Sequence, residues 1–505
     1  MDQSENIDAV TIEELPSCVG QRVKIQGWVY NQRGSRTLTF LIVRDGTGIV
    51  QCVGNKEELD DDTWAQIQQL TQESSVSVVG TVSADDRQEG GVEVAIESFR
   101  LIALAEEYPI TKKEHGIEFL MNNRHLWLRS RRTWAVLRIR NRVVMAIHEF
   151  FQSQGFIQLD SPIFTANAVE GTTTLFGTEF FGETAYLTQS GQLHGEAMAM
   201  AFGKIYTFGP TFRAEKSKTR RHLSEFWMIE PEMAFYDLDM DMALSEQFLA
   251  HVVGAVLSEC SEELRVLGRD TAVLERVSPP FPRISYSEAV EILRSKETAQ
   301  MVSEKLVELD TEAAALKIEL VDGKRAHGQA KKGEKRRLDR RFAEINQRLG
   351  EIEEDQRNYP SWAESAANFE WGGDFGGSDE TLLTWHYERP LIVHRFPAAI
   401  KAFYMKRDPD DDRVALGMDV LAPEGYGEII GGGERATDLA FLKSQLAHHG
   451  LSEAAFDWYL DLRRYGSVPH AGFGLGLERI VAWICNLHHI REAIPFPRLM
   501  GRLTP

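Results

Sequence analysis

Residues 204–235, KIYTFGPTFRAEKSKTRRHLSEFWMIEPEMAF, constrain this chain more than any other stretch. Two apolar-rich segments, KIYTFGPTF and FWMIEPEMAF, flank a polar run. Between Phe212 and Phe226 that run holds five Lys/Arg and two Glu. The pattern predicts a strand, a basic loop and a returning strand. Two readings of the loop stand side by side. A charge run can be a solvated face. It can also be an anion site, because arginine at a strand end offers a rigid fork of donors that matches phosphate. The formal net charge of the whole chain is -20. That predicts solubility and disfavours indiscriminate binding to nucleic acid, but it does not exclude a local basic surface.

A length of 505 residues suits two or three domains. With 43% hydrophobic and 26% charged residues the composition is that of a soluble globular protein. The N-terminal MDQSENIDAVTIEEL is acidic and polar, unlike a secretory or mitochondrial leader. No apolar run approaches the roughly 18 residues of a membrane span. Cys18, Cys52, Cys260 and Cys485 are far apart and lack CxxC spacing. They predict reduced thiols in a cytoplasmic protein and no zinc ribbon.

From residue 22 to 104 the chain reads as short strands: RVKIQGWVYN, TLTFLIVRD, GIVQCVG, SVSVVGTVSA and VEVAIESFRLIAL. A polar helix is expected at 56–70, between the third and fourth. That is the order of an OB-fold, a small barrel that commonly binds oligonucleotides, or serves only as a structural module. Residues 1–104 are therefore expected to be the barrel domain, 105–130 a hinge and 131–505 a second, α+β domain. In RRTWAVLRIRNRVVMAIHEFFQSQG, Trp134, Leu137, Val144, Ile147 and Phe151 recur at helical spacing, and Gly155 is a natural stop. FIQLDSPIF reads as a strand entering Pro162. LIVHRF, KAFYMKR, VALGMDVLA and GEIIGGG suggest an antiparallel sheet, with a helix over 436–449. The segment 297–365 differs in composition and predicts an inserted helical hairpin. Its stretch 324–341 carries nine Lys/Arg against two acids. That tip suits RNA phosphates or a solvated loop equally.

Two further constellations carry chemistry. In GFGLGLER, 472–479, glycines let backbone approach a ligand closely and Arg479 follows at a helix start; tight strand-to-helix packing would need the same glycines. Asp419 and Glu428 flank a Pro/Gly turn and precede IIGGGER. Two carboxylates on paired strands suit magnesium carried by a triphosphate, or are simply two surface acids.

Taken in order, the strand at Pro162, the 213–226 loop and the glycine-rich strand with Arg479 resemble the three motifs of class II aminoacyl-tRNA synthetases. With the N-terminal barrel, they resemble the subclass charging aspartate, asparagine or lysine. TFGPTFRAEKSKTRRHLSEFWMIEPEMAF, LTQSGQL, GEIIGGGER and LRRYGSVPHAGFGLGLER are similar to asparaginyl-tRNA synthetases of the bacterial type. The resemblance runs from about residue 20 to 500 and fails in the 297–365 insert.

The resemblance implies an asparagine–tRNA ligase, cytoplasmic and homodimeric, using ATP, Mg2+, L-asparagine and tRNA(Asn). The helix before Pro162 matches the family's dimerisation motif. By motif, Arg213 binds the α-phosphate and Glu215 belongs to the same site. Phe226 stacks on adenine, His222 lies near the γ-phosphate, and Gly476 and Arg479 close the site from the other side. Asp419 and Glu428 hold magnesium. Gly431 departs from relatives charging aspartate, which often place serine there. Glu170 binds the α-amino group and Gln192 lies against the substrate. Glu230 accepts from the side-chain NH2 and Arg435 donates to its carbonyl. Gly195 stands where aspartate enzymes place a lysine facing the substrate carboxylate; an amide instead needs one acceptor and one donor. Glu230 would repel an aspartate side chain. His194 reads as a packing or surface residue. On the barrel, Arg33, Arg36, Phe40 and Gln51 are the anticodon candidates, Phe40 by stacking and Gln51 by hydrogen bonding to a uridine. Lys216, Lys218, Arg220 and Arg221 suit ATP or the tRNA acceptor end alike.

Three other readings are weighed. An aspartate-specific enzyme is opposed by Gly195 and Glu230. An RNA-binding paralogue without activity is opposed by Arg213, Glu428 and Arg479. A tRNA-independent asparagine-making enzyme is opposed by the barrel.

Overall fold

Alternation in RVKIQGWVY points Val23, Ile25 and Val29 to one face, and these residues are buried. They lie on β1 (Arg22–Gly34), which pairs with β2 (Leu38–Arg44). After β3 (Ile49–Asn55) comes α1 (Asp61–Gln68), then β4 (Ser75–Ala84) and β5 (Val92–Ala103). The strands close into a barrel in the order β1-β2-β3-β5-β4, with β3 and β5 parallel. Closure removes the free edges that invite association. Leu41, Val43, Cys52, Val76, Val78 and Val94 fill its interior. Each such side chain contributes about 1.5–3 kcal/mol by burial. The helix expected from residue 56 starts later, because Asp60 caps it by accepting from Thr63 N at 2.8 Å.

The structure is a computed structural model and describes residues 7–111, 113, 115–166, 174–217 and 219–505. Two compact units divide between Arg129 and Ser130. The stretch expected to be a hinge contains α2 (Ile117–Asn122) and α3 (Arg124–Trp127). Tyr108 Oη donates to Leu126 O at 2.9 Å and ties the segment to these helices.

The second unit begins with α4 (Arg131–Ser153), capped by Ser130. Its buried stripe is Val136, Ile139, Val143, Ile147 and Phe151. Trp134, Leu137 and Val144, expected in that stripe, are half-buried. The Trp134 ring instead lies beneath Arg131 and Arg138, at 4.0 and 5.2 Å. Next come β6 (Ile157–Gln158), β7 (Phe164–Thr165), β8 (Gly177–Phe180), β9 (Glu183–Leu187) and α5 (Gln192–Phe202). The strand expected to run up to Pro162 is short: only Ile157 and Gln158 pair, parallel to Ile205 and Tyr206. The opening stretch forms β10 (Lys204–Phe212) and β11 (Glu225–Ala234), paired antiparallel from Lys204↔Met233 to Phe212↔Glu225.

Helices α6 (Leu238–Glu259), α7 (Ser261–Leu267) and α8 (Ala272–Glu275), the short β12 (Arg283–Ser285) and α9 (Tyr286–Leu293) follow. The insert is a hairpin of α10 (Lys296–Gln329) and α11 (Lys332–Ala367). Then come α12 (Gly377–Thr384), β13 (Leu391–Pro397), β14 (Val414–Ala422) and β15 (Gly427–Glu434). KAFYMKR, expected as a strand, makes a turn and two isolated bridges, Met405 to Arg435 and Arg407 to Ala415. The chain ends through α13 (Leu439–His448), α14 (Asp457–Arg464), β16 (His470–Gly476) and α15 (Leu477–Ile484). The main sheet runs β12-β13-β14-β15-β16-β11-β10-β6. Thus β16, next to last in the sequence, lies between β15 and β11, and the three stretches singled out for chemistry become neighbours. Gly472 is required for this contact: a Cβ there would lie 2.4 Å from Pro231 O.

Candidate active site

The sheet places Arg213 at the end of β10 and Phe226 at the start of β11. The Arg213 guanidinium lies 5.4 Å from the Phe226 ring centroid. Arg213 N donates to Ser224 O at 3.0 Å, which closes the base of the loop. Arg213, Phe226, Glu215, Arg221, His222, Met228, Glu428, Gly476 and Arg479 line one cleft. His222 Nε2 is 3.8 Å from Glu215 Oε2. Burial, with Arg479 and Arg213 adding to it, lowers the His222 pKa, so the imidazole is neutral near pH 7. Arg479 leaves the start of α15 and donates to Glu428 O at 2.8 Å and Oε2 at 3.1 Å. Its neighbour Glu478 is buried, pairs with Arg140 at 2.8 Å and accepts from Trp227 N at 3.0 Å. That pins the first turn of α15 against α4 and β11.

Asp419 and Glu428 share a face because the β14–β15 ladder is irregular. Val420 pairs with Ile430, but Leu421 pairs with Glu428, so Ile429 is the extra residue of a bulge. A Cβ on Gly431 would lie 2.6 Å from Glu428 Oε1 and 3.5 Å from Asp419 Oδ1. A serine at this position would crowd the pair, so the glycine leaves the space between the two carboxylates clear. Lys401 Nζ now donates to both Asp419 oxygens, at 3.0 and 2.9 Å. Burial, with Glu428 facing it, pushes the Asp419 carboxyl up to about 6 against the pull of Lys401. Burial also works against the Glu428 charge, but Arg479 and Lys401 outweigh it and hold that carboxyl below its usual range. Glu380 sits behind them, raised to about 7 by burial and by Glu428. Two hard carboxylates over an open glycine fit magnesium, which typically takes one or two carboxylates plus substrate phosphates and water. Among the described residues no cluster of three or more His, Cys, Asp or Glu forms a metal cage.

The loop cations are divided. Arg221 donates to Glu380 Oε2 at 2.8 Å and to Gly425 O. Arg220 pairs with Glu354 of α11 at 2.6 Å. Lys216 is exposed, and Lys218 lies outside the described residues.

Deeper in the sheet, Glu230 is buried and accepts from Ser190 Oγ, from Gly191 N at 2.7 Å and from Thr207 Oγ1 at 3.2 Å. Gln192 Nε2 donates to Glu196 Oε1 at 3.1 Å. Arg435, expected to be open to a ligand, is already bound to Glu232: Nη2 donates at 2.6 Å and Nε at 3.3 Å, and Nη1 faces Met405 Sδ at 3.9 Å. A Cβ on Gly195 would lie 3.2 Å from Glu232 Cγ, so α5 approaches this pair closely. Glu196 is wholly buried. It receives Arg463 Nη2 at 2.8 Å, Tyr459 Oη at 2.9 Å and His470 Nε2 at 2.9 Å. Burial alone would raise its carboxyl, but Arg463 and His470 more than offset that and hold it well below the carboxylate range. His194 stacks on Trp458, with centroids 4.9 Å apart. Glu170 lies outside the described residues.

On the barrel, Arg33 Nη2 donates to Gln51 Oε1 at 3.1 Å and its guanidinium lies 5.4 Å from the Phe40 ring centroid. Gln51 is buried, and its Nε2 donates to Glu93 at 3.1 Å. Arg36 is exposed on the loop between β1 and β2. Arg33 lines an open cleft with Tyr30, Asn31 and Gln32.

Comparison with known proteins gives this geometry its family. A family model described as tRNA synthetases class II (D, K and N) matches residues 116–500, and one described as OB-fold nucleic acid binding domain matches 23–102. Asparagine–tRNA ligase of Sorangium cellulosum is 51% identical, over 98% of this chain and 99% of that one. The chain belongs to the asparagine–tRNA ligase family of class II synthetases. The like-named protein of Symbiobacterium thermophilum is 48% identical over 98% of this chain and 99% of its own length. The solved asparaginyl-tRNA synthetase of Pyrococcus horikoshii, complexed with asparaginyl-adenylate, superposes with a TM-score of 0.82 at 37% identity, covering 99% of this chain and 100% of that one.

Several residues of the site escape sequence reasoning: Lys401, Glu380, Glu232, Glu196 and Glu478. Glu478 stands beside Arg479 within GFGLGLER, and Glu232 within MIEPEMAF, so their proximity was visible but not their partners. Nothing local marks Lys401 or Glu380.

Proposed function

We propose that this protein activates L-asparagine with ATP, forming asparaginyl-adenylate and pyrophosphate, and transfers the asparaginyl group to the 3′-terminal ribose of tRNA(Asn). The observation that carries this reading is the opposition of Arg213 and Arg479 across one cleft, with Phe226 on its wall. A carboxylate oxygen of asparagine attacks the α-phosphorus, the new C(O)O–P bond forms, and the bond to pyrophosphate breaks with its electron pair going to the leaving group. The substrate is its own nucleophile, so the protein supplies position and charge. Arg213 stabilises charge at the α-phosphoryl oxygens, and Arg479 the far end of the triphosphate. Phe226 holds the adenine, with Glu215, His222 and Gly476 around the nucleotide. Asp419 and Glu428 would hold magnesium, which neutralises phosphate charge when bound. Lys401 keeps Asp419 ionised until then.

For the amino acid, Glu230 accepts from the side-chain amide and Arg435, steadied by Glu232, turns Nη1 to its carbonyl. Gln192, its amide oriented by Glu196, faces the substrate, and Glu170 takes the α-amino group. The barrel reads the anticodon through Phe40, Gln51, Arg33 and Arg36. Met145, Ile157, Ile163 and Phe164 are large apolar residues left exposed around the β6 edge of the sheet, which favours a homodimer. Cys18, Cys52, Cys260 and Cys485 are unpaired, which favours a cytoplasmic setting. Among the described residues no helix is long and apolar enough to cross a membrane.

The test is amino-acid-dependent pyrophosphate exchange with asparagine and aspartate in parallel, then charging of total tRNA. Exchange with asparagine alone is expected. Exchange with aspartate alone would sink the specificity, and exchange with neither, in a folded sample, would leave a binding protein.

A further inference from the structure

The hairpin α10–α11 changes character along its length. At its root, Val302 and Ala366 pack with Tyr286 and Leu382 in a cluster of the catalytic unit. Along the shaft, Leu309, Ala313 and Ile352 form a seam of their own. The shaft's arginines are neutralised across that seam. Arg348 donates to Glu312 at 2.7 and 2.9 Å, and Arg341 donates to Glu319 at 2.7 and 2.9 Å. Beyond Arg341 this balance ends. Arg325 pairs with Asp322 at 3.6 Å and His327 with Asp339 at 3.0 Å. Lys324, Lys331, Arg337 and Arg340 are exposed and make no ion pair among the described residues. A solvated helix face carries neighbouring charges of both signs, as the shaft does. At the tip cations outnumber acids, nine Lys/Arg against two acids over 324–341, in a chain whose net charge is -20.

The shaft also has a definite address. Glu354 of α11 pairs with Arg220 of the loop between β10 and β11 at 2.6 Å. The hairpin therefore rises from the rim of the candidate active site. From Glu354 to the turn at residue 331 the helical rise spans about 35 Å.

We propose that this tip is a contact surface for the acceptor arm of the tRNA, gripping its backbone phosphates while the 3′ end lies in the cleft. The inference rests on the synthetase reading above. Double-stranded RNA is recognised mainly by shape and through its backbone, which long cationic side chains on a rigid post can reach without reading sequence. The post and the loop are tied together, so an arm docked on the tip is aligned with the chemistry at the root.

The test replaces four exposed cations with glutamine, K324Q/K331Q/R337Q/R340Q, which keeps helix propensity while removing charge. Asparagine-dependent pyrophosphate exchange, which needs no tRNA, is expected to stay within about twofold of the parent, with unchanged helicity by circular dichroism. KM for tRNA in the charging reaction is expected to rise about tenfold, and its salt dependence to weaken, as each lost phosphate contact releases fewer counterions. Hydroxyl-radical footprinting should show acceptor-arm backbone protected by the parent and open with the variant. An unchanged KM for tRNA would overturn the proposal, leaving the tip solvated or reserved for a protein. Protection lost only at the anticodon arm would overturn it too. Absence of exchange in the parent would strike the synthetase reading itself, and this inference with it. Exchange and charging that are both normal in the variant strike only the tip.

Discussion

The two halves of the candidate active site are built on opposite plans. On the amino-acid side two ion pairs are buried and already matched. Glu196 with Arg463 is fully buried, and Glu232 with Arg435 nearly so. On the nucleotide side the groups are only partly buried, and protein partners stand in the positions where ligand charge would sit. Glu428 occupies Arg479, Lys401 occupies Asp419, and Glu380 occupies Arg221. The difference follows from the ligands. A triphosphate with its cation brings enough charge of both signs to take the place of these pairs. The side-chain amide of asparagine brings none, so the pocket that reads it must be finished before it arrives.

The comparison breaks most sharply at Arg213. Arg213→Ala should lower the asparagine-dependent exchange rate by about 1000-fold, in keeping with the loss of a charge clamp on a transferring phosphoryl group, while the thermal unfolding midpoint stays put. A fall of less than tenfold would remove Arg213 from the chemistry. Glu196→Gln tests the other half. It strands Arg463 and His470 in a dry interior, so it should cost about 3–5 kcal/mol in denaturant unfolding, and it should raise KM for asparagine more than KM for ATP. A variant as stable as the parent would show that the buried network carries no structural load.

The smallest effect concerns pH. Asp419 must be ionised to share a cation, and its carboxyl lies at about 6 in the free protein. kcat/KM for MgATP should therefore fall as pH drops through about 6. Lys401 favours the ionised form, so Lys401→Met should move that limb to higher pH. A limb that stays in place would mean that another group titrates there.

The strands and the loop between them were legible because their signals are local. Alternation and a basic connection sit within about thirty residues, and GFGLGLER lies beside its own arginine. Arg213, Phe226, Glu428 and Arg479 could be singled out from such local runs. What stayed hidden depends on distance along the chain. Lys401 reaches Asp419 from a segment that reads as a strand but forms a turn, and Glu380 reaches Arg221 from a helix after the insert. Arg435 was legible as a residue, but its commitment to Glu232 was not, since that pair joins the residue after β15 to β11. The helical hairpin was visible in composition, while the contact that anchors it, Glu354 with Arg220, joins two stretches that nothing in either one connects.

The bulge at Ile429 has a consequence for how this hairpin can change. A regular ladder would set Glu428 against Ala422, three places from Asp419, and an odd offset faces away. The extra residue moves it opposite Leu421, two places away, and an even offset faces alike. The acid pair is thus a matter of parity. A slip of β15 by one residue along β14 would leave a ladder in place and turn Glu428 to the face away from Asp419.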